Sequence, residues 1–468
     1  MSLPPGPSAP RWQQMLHWIV DPVSYLESVA RDYPDLFTLP PNFTFDSTVY
    51  VSHPEAMQQI LTGDRDRFFA PGSTNRILQP FLGDYSVIML EGDRHQRQRQ
   101  LLMPPFHGNR LQEYARLIGE ITVQVMERLS AGQRFVARSL MQDISLQVIL
   151  QVVFGIRQGD RYVQLQRQIS ELTDLFQSPL VAGFLYLPFL QKDWGAWSPW
   201  GRFLKLRSRI DDLLYAEIAE RREQPEQNGT DILSLLMEAR DEQGDGMTDA
   251  ELRDELMTLL FAGHETTATA MAWSLYWTHY HSDIGDKVRD ELATLDDRAD
   301  PMATSRLPYL NAVCNETLRI YPVGMLTFPR AVGEDPVEIM GYELPPGTVV
   351  LGCIYLTHQR EDIYPQPKQF KPERFLERQY SPYEFVPFGG GSRRCIGMAL
   401  ASLEMKLVLG TMLSNYRLSL AETQPVKPQR RGVTLGMKGG VKMVFEGRRS
   451  SPSHSVTSGS TQDLTPIR

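Results

Sequence analysis

The chain has 468 residues, 42% hydrophobic and 22% charged, the balance of a globular protein that can bury a large core. Its net charge of −8 argues against general nucleic-acid affinity, which needs basic surface to neutralise phosphates. Three widely spaced cysteines, Cys314, Cys353 and Cys395, argue against a zinc site or a disulfide framework and fit a reducing compartment.

The first ten residues hold four prolines and read as extended. They lack the basic-then-apolar order of a signal peptide, and no run of about 20 apolar residues follows. Neither a leader nor a transmembrane anchor is therefore expected. Phe45–Ser52 reads as strand, Pro54–Leu61 as a short helix, and residues 70–90 as a long loop. Helical patterns dominate from residue 94 to residue 320. Within them, Leu175–Gln191 and Met257–His281 are apolar enough to question as membrane spans. The first is broken by Pro179 and Pro188, the second by Gly263 and Glu265, so both read as internal to a soluble protein.

Thr248-Asp249-Ala250-Glu251 has the form of a capping box and starts a helix that runs to His281. Such a helix is about 48 Å long and crosses a domain of this size. Val337–Tyr355 reads as two strands around the turn Leu344-Pro345-Pro346-Gly347-Thr348. Residues 356–394 are turn-rich, and a helix follows from Cys395 to Ser414. From Arg448 the composition is mostly Ser, Thr, Gly and Pro, which predicts a disordered tail over 448–468. The fold expected is one mainly α domain, residues 1–447, with a minor β-sheet lobe and no internal repeats.

Three clusters carry chemistry. In Phe388-Gly389-Gly390-Gly391-Ser392-Arg393-Arg394-Cys395-Ile396-Gly397 the glycines permit backbone that a Cβ forbids and allow close approach to a flat ligand. Cys395 then opens a helix beside two arginines, surroundings that lower a thiol pKa. In Ala262-Gly263-His264-Glu265-Thr266-Thr267, Gly263 costs about 1 kcal/mol relative to alanine in a helix. A flat ligand or a bend could offset that cost. Glu316 and Arg319 sit at i and i+3, and His95 and Arg99 at i and i+4, each pair on one helix face. Taken singly, these are a glycine turn, a packing glycine and surface charges, with His264 a structural or solvent-facing residue.

Together they carry a resemblance. Phe388-x-x-Gly391-x-Arg393-x-Cys395-x-Gly397 resembles the haem-binding signature of the cytochrome P450 superfamily, a family whose haem iron is held by a cysteine thiolate. Ala262 to Thr266 resembles its acid–alcohol motif, and Glu316-x-x-Arg319 with Pro372-Glu373-Arg374-Phe375 its buried clamp. The resemblance covers residues 5–447. It implies haem b between the long acid–alcohol helix and the cysteine-bearing helix, with Cys395 as the iron ligand. Phe388, Gly389 and Ala262 would lie against the haem, and Arg393, Arg99, His95 and Arg330 would contact its propionates. Glu265 and Thr266 would deliver the two protons that dioxygen cleavage needs. Glu316, Arg319 and Arg374 would be structural.

The resemblance further places substrate contacts at Leu78, Phe81, Leu82, Phe261, Leu326, Thr327 and Leu435, largely apolar residues that imply a lipophilic substrate. The chain is most similar to soluble bacterial and cyanobacterial hydroxylases of fatty acids or terpenoids, which implies a cytoplasmic monomer. The aromatic-rich stretch from Leu175 to Gly201 would form an entrance flap able to touch a membrane surface. With no reductase fused to the chain, electrons would come from a ferredoxin and its reductase, drawn to a basic face of Arg94, Arg97, Arg394 and Lys406. Two rivals stay open. One is a peroxide-driven or hydroperoxide-rearranging haem-thiolate enzyme, and the other a haem-binding sensor or carrier without catalysis.

Overall fold

The computed structural model describes residues 3–40, 47–108, 110–155, 159–175, 191–195, 197–224, 229–296, 300–432 and 434–449. Most of the expected flap, and the tail beyond residue 449, lie outside the described residues.

One helix organises the molecule. Asp249–Tyr280 runs the expected 32 residues from a complete capping box, in which Thr248 Oγ1 accepts from Glu251 N at 3.2 Å and Glu251 Oε2 from Thr248 N at 2.8 Å. It packs most extensively on the helix Ala137–Phe154. A Cβ on Gly263 would meet Ile149 Cδ1 at 3.0 Å, so this glycine lets the two helices approach. Helix packing is therefore one return for the helical cost of Gly263. The adjacent Ala262 is the one exposed residue between Leu252 and Thr278.

The helix that follows the cysteine loop is Met398–Asn415. It packs against the long helix and against Arg110–Met126. Its first turn starts beyond Cys395, with Gly397 at the cap position. Cys395 therefore precedes the helix instead of opening it.

The β lobe is a five-stranded sheet in the order Leu36–Leu39, Thr48–Val51, Val349–Gly352, Arg330–Val332 and Phe68–Phe69. Thr48–Val51 pairs parallel with Val349–Gly352, and its other neighbours pair antiparallel. All four residues of Thr48–Val51 are buried, as expected of a strand covered on both faces. Val337–Tyr355 holds three strands, not two. Val337–Ile339 and Tyr342–Leu344 form a hairpin through Met340 (φ 49°) and Gly341 (φ 82°), two left-handed residues of the kind tight hairpins need. The Leu344–Thr348 turn then carries the chain into the central sheet. Residues 70–90 are more ordered than a loop, with a 3-10 turn at Gly72–Leu78 and a short helix at Gln79–Leu82.

Candidate active site

The cysteine loop is shaped by its glycines. Gly389 (φ 65°) and Gly391 (φ 64°) are left-handed, and a Cβ on Gly391 would lie 2.3 Å from Asp64 Oδ2. Asp64 also accepts from Ser392 N at 2.6 Å, and Cys395 N closes the loop onto Phe388 O at 3.0 Å. Cys314 and Cys353 are buried, and burial pushes both thiols up to about 12. Cys395 is exposed, yet its sulfur is set deep among protein atoms. Desolvation raises its pKa, opposed by the Gly397 N–H and by Arg99 and Arg394. Desolvation prevails, so the lowered thiol pKa expected from the sequence is not found in the protein alone. The helix terminus that would have lowered it lies further along the chain. A coordinated metal deprotonates such a thiol outright.

On the long helix, Leu259, Ala262 and Thr266 form one exposed or half-buried stripe. Thr266 Oγ1 donates to Ala262 O at 2.6 Å, which leaves its lone pairs free to accept. Glu265 turns toward the helix Ala137–Phe154 instead. Its Oε1 pairs with the buried Arg138, and its Oε2 accepts from Gln142 Nε2 at 2.6 Å. His264 is structural and buried, with Nδ1 2.6 Å from Leu260 O and Nε2 3.3 Å from Thr173 Oγ1.

Cations converge beside the cysteine loop. Burial holds His95 down to about 3, helped by the positive charge of Arg393, Arg99, Arg65 and Arg330. Arg99 is half-buried, and its side chain makes no ion pair or hydrogen bond among the described residues. Arg393 donates to Val87 O (2.7 Å), Ala70 O (2.6 Å) and Leu90 O (2.5 Å), but its buried Nε has no partner. Burial, then the charge of Arg330, pushes Arg393 down to about 10. A buried imidazole among arginines, one of them unpaired and one with an orphaned N–H, calls for an anion. The two propionates of haem fit that need.

Arg330, expected at a propionate, is already engaged within the protein. It is paired with Asp64 and donates to Phe328 O at 2.9 Å and Gly390 O at 3.1 Å. Its charge is matched, and it fastens the cysteine loop to the sheet lobe. Arg97 is likewise tied, to Asp241 at 2.5 Å and Glu251 at 3.1 Å, and so is not free for a partner protein. Asp64, Arg138, Gln142 and Val87 are site residues that sequence reasoning missed. Each acts on a motif more than a hundred positions away, so no local spacing marks it.

The clamp is buried as expected. Glu316 accepts from Arg319 Nε at 2.6 Å and Nη2 at 2.8 Å, from Arg374 Nε at 3.1 Å and from Lys371 N at 2.8 Å. Arg319 also donates to His358 O at 2.8 Å.

Of the expected substrate contacts, Leu78, Phe261 and Leu326 are half-buried and keep some surface. Phe81 is buried, with its ring 5.0 Å from Phe261 and 4.8 Å from Phe203. Leu82 and Leu435 are fully buried, and Thr327 Oγ1 accepts from Gly352 N at 2.9 Å. These last three contribute to packing and to holding the backbone.

Comparison with known proteins agrees with this geometry. The family model "Cytochrome P450" matches residues 4–442. "Putative cytochrome P450 135B1" of Mycobacterium tuberculosis is 35% identical over 93% of this chain and 89% of its own length. "Putative cytochrome P450 138" of the same species is 32% identical over 95% of this chain and 97% of its own. The retinoic-acid-bound cyanobacterial CYP120A1 shares the fold, at a TM-score of 0.79, 23% identity and coverage of 95% of this chain and 99% of that one.

Proposed function

Since the chain belongs to the cytochrome P450 family and is a haem b monooxygenase, we propose that Cys395 binds its iron and that its substrate is a long-chain fatty acid or a terpenoid. The observation that carries the reading is the exposed Cys395 together with the Ala262–Thr266 stripe on the long helix, which packs on the helix following the cysteine. Haem between them would rest on Phe388 and Gly389, meet Ala262 above, and set its propionates toward Arg99, Arg393 and His95.

Haem b, when bound, supplies the iron at which dioxygen is activated. The chain supplies protons and position. Thr266 Oγ1 donates to Ala262 O, so its lone pairs would accept from a water and hold it on the cleft side of the helix. Glu265 stands one residue earlier, and on leaving Arg138 it passes protons through that water. The balance is one dioxygen, two electrons and two protons, giving one hydroxylated substrate and one water.

The family implies a lipophilic substrate and an external electron source. Leu78, Phe261 and Leu326 offer an apolar lining. CYP120A1 is described with retinoic acid, an isoprenoid carboxylic acid, which favours the same class here. A ferredoxin fits the exposed Arg94 and Arg394, with the half-buried Lys406 a further cation. Among the described residues no helix is long and apolar enough to cross a membrane. A cytoplasmic monomer with at most peripheral membrane contact is the arrangement we favour.

A peroxide-driven or hydroperoxide-rearranging enzyme, or a haem carrier, has no need of Glu265 and Thr266. A Thr266→Ala enzyme that still couples electrons fully to product would favour those readings. The substrate is tested by titrating a panel of fatty acids and terpenoids against the Soret band, followed by product analysis. Binding and hydroxylation within this panel are expected, and a response only to polar compounds would refute the class.

A further inference from the structure

One buried carboxyl on the long helix is unused by the mechanism above. Glu255 is fully buried, and its Oε1 accepts from Val87 N at 2.7 Å. The carbonyl of the same residue, Val87 O, accepts from Arg393 Nη1 at 2.7 Å. A single peptide residue therefore joins the acid–alcohol helix to the arginine two positions before Cys395.

The attachment is reinforced on both sides. Asp254 Oδ2 accepts from Tyr85 N at 2.8 Å, and Thr258 Oγ1 donates to Ser86 Oγ at 2.7 Å. Tyr85, Ser86 and Val87 are thus each held by the long helix. The second oxygen, Glu255 Oε2, has no hydrogen-bond partner, nor has either polar atom of the Gln98 amide. Gln98 stands beside this carboxyl, on the helix Gly92–Leu102 that also bears His95 and Arg99. Burial, opposed by Gln98 and the Val87 N–H, pushes the carboxyl up to about 8, which favours the neutral acid near pH 7. A neutral acid accepts from Val87 N with one oxygen and offers a proton to Gln98 with the other. An ionised carboxylate would still accept from Val87 N but would have no proton to offer Gln98, and an absent group would do neither.

We infer that Glu255 is a positioning residue for the cofactor's anionic edge, acting through the two ends of Val87 to fix the direction of Arg393. The inference rests on the reading of Arg393 as a propionate contact. Without Glu255, Val87 N loses a buried acceptor, the stretch that gives Arg393 two of its three carbonyls loosens, and Arg393 gains alternative orientations.

The test uses the haem-loaded enzyme and three variants, Glu255→Leu, Glu255→Gln and Arg393→Gln. The readouts are haem transfer to apomyoglobin, the midpoint potential of the iron and the reduced carbon-monoxide spectrum. Glu255→Leu should keep the thiolate carbon-monoxide band, lose haem about fivefold faster or more, and shift the potential, because a buried hydrogen bond lost near a charge is worth about 1 kcal/mol or more. Glu255→Gln, which keeps a neutral acceptor, should restore both values. In an Arg393→Gln background, Glu255→Leu should add nothing. If Glu255→Leu does not fold, Glu255→Ser, which leaves room for a water, is read in the same way. Wild-type haem loss and potential in Glu255→Leu, while Arg393→Gln is impaired, would overturn this inference alone. Wild-type haem retention in Arg393→Gln would overturn the propionate reading and this inference with it.

Discussion

Replacing Glu265 by glutamine removes a proton donor and a counter-charge in one step. In the native protein each carboxylate oxygen is engaged, Oε1 by Arg138 and Oε2 by Gln142 Nε2 at 2.6 Å. An amide has one acceptor oxygen. With that oxygen toward Arg138, its NH2 faces Gln142, whose amide must flip to accept, and Arg138 keeps an acceptor but loses its counter-charge. Arg138 is 5% exposed and its Nε already lacks a partner, so it would be left as a buried cation. Breaking a buried ion pair costs about 3–5 kcal/mol. The 18% exposure of the Glu265 side chain lets water soften this, so about 2–3 kcal/mol is expected. The chemical loss is separate, since removing a positioned proton-transfer group costs about 10²–10⁴-fold in rate. The assay pairs urea unfolding of the haem-loaded protein with product formed per electron consumed at saturating substrate. Glu265→Gln should lose both stability and about 100-fold or more in product rate, and Glu265→Asp should keep more of each. A glutamine variant of native stability and near-native product rate would refute the reasoning, because neither the Arg138 pair nor the proton route would then matter.

Glu316→Gln leaves Arg319 and Arg374 buried without their shared anion, and a loss of about 3–5 kcal/mol is expected as a lower urea midpoint at unchanged slope. Stability should also fall as pH rises through neutrality. Burial pushes Glu404 from 4.5 up to about 8, so the folded chain keeps a proton that the unfolded chain has released. Its stabilisation is complete below pH 4.5 and is lost on approaching pH 8, at up to about 1.4 kcal/mol per pH unit. Glu404→Gln should flatten the curve of stability against pH, and parallel curves would refute the assignment. Charge reversal at Arg94 and Arg394 should slow reduction by an acidic ferredoxin at low salt, read by stopped flow, while unchanged kinetics would place the partner elsewhere.

The parts of this protein that were legible in sequence are those with local causes. The capping box at Thr248 and the long helix are both there. Cys395 and the glycines before it form a tight loop, and the Glu316 clamp is buried as the family resemblance implied, where its spacing alone read as surface charge. What the sequence concealed depends on distance along the chain. Asp64 holds Arg330 across 266 positions, Arg138 meets Glu265 across 127, and Val87 meets Arg393 across 306. The hairpin at Met340 was hidden for a different reason. Methionine is a poor marker of left-handed backbone, so the Pro-Pro-Gly turn beside it drew the boundary instead. Gly263 was legible as unusual, but its reason, the close approach of Ile149, belongs to another helix.

The central claim is that Cys395 is the thiolate ligand of the haem iron. The most direct measurement is the carbon-monoxide difference spectrum of the dithionite-reduced enzyme, taken for the native protein and for Cys395→His. The native enzyme should show the red-shifted Soret band of thiolate ligation, and Cys395→His should lose that band while retaining haem. A native spectrum without the thiolate band, or a Cys395→His spectrum that keeps it, would contradict the account.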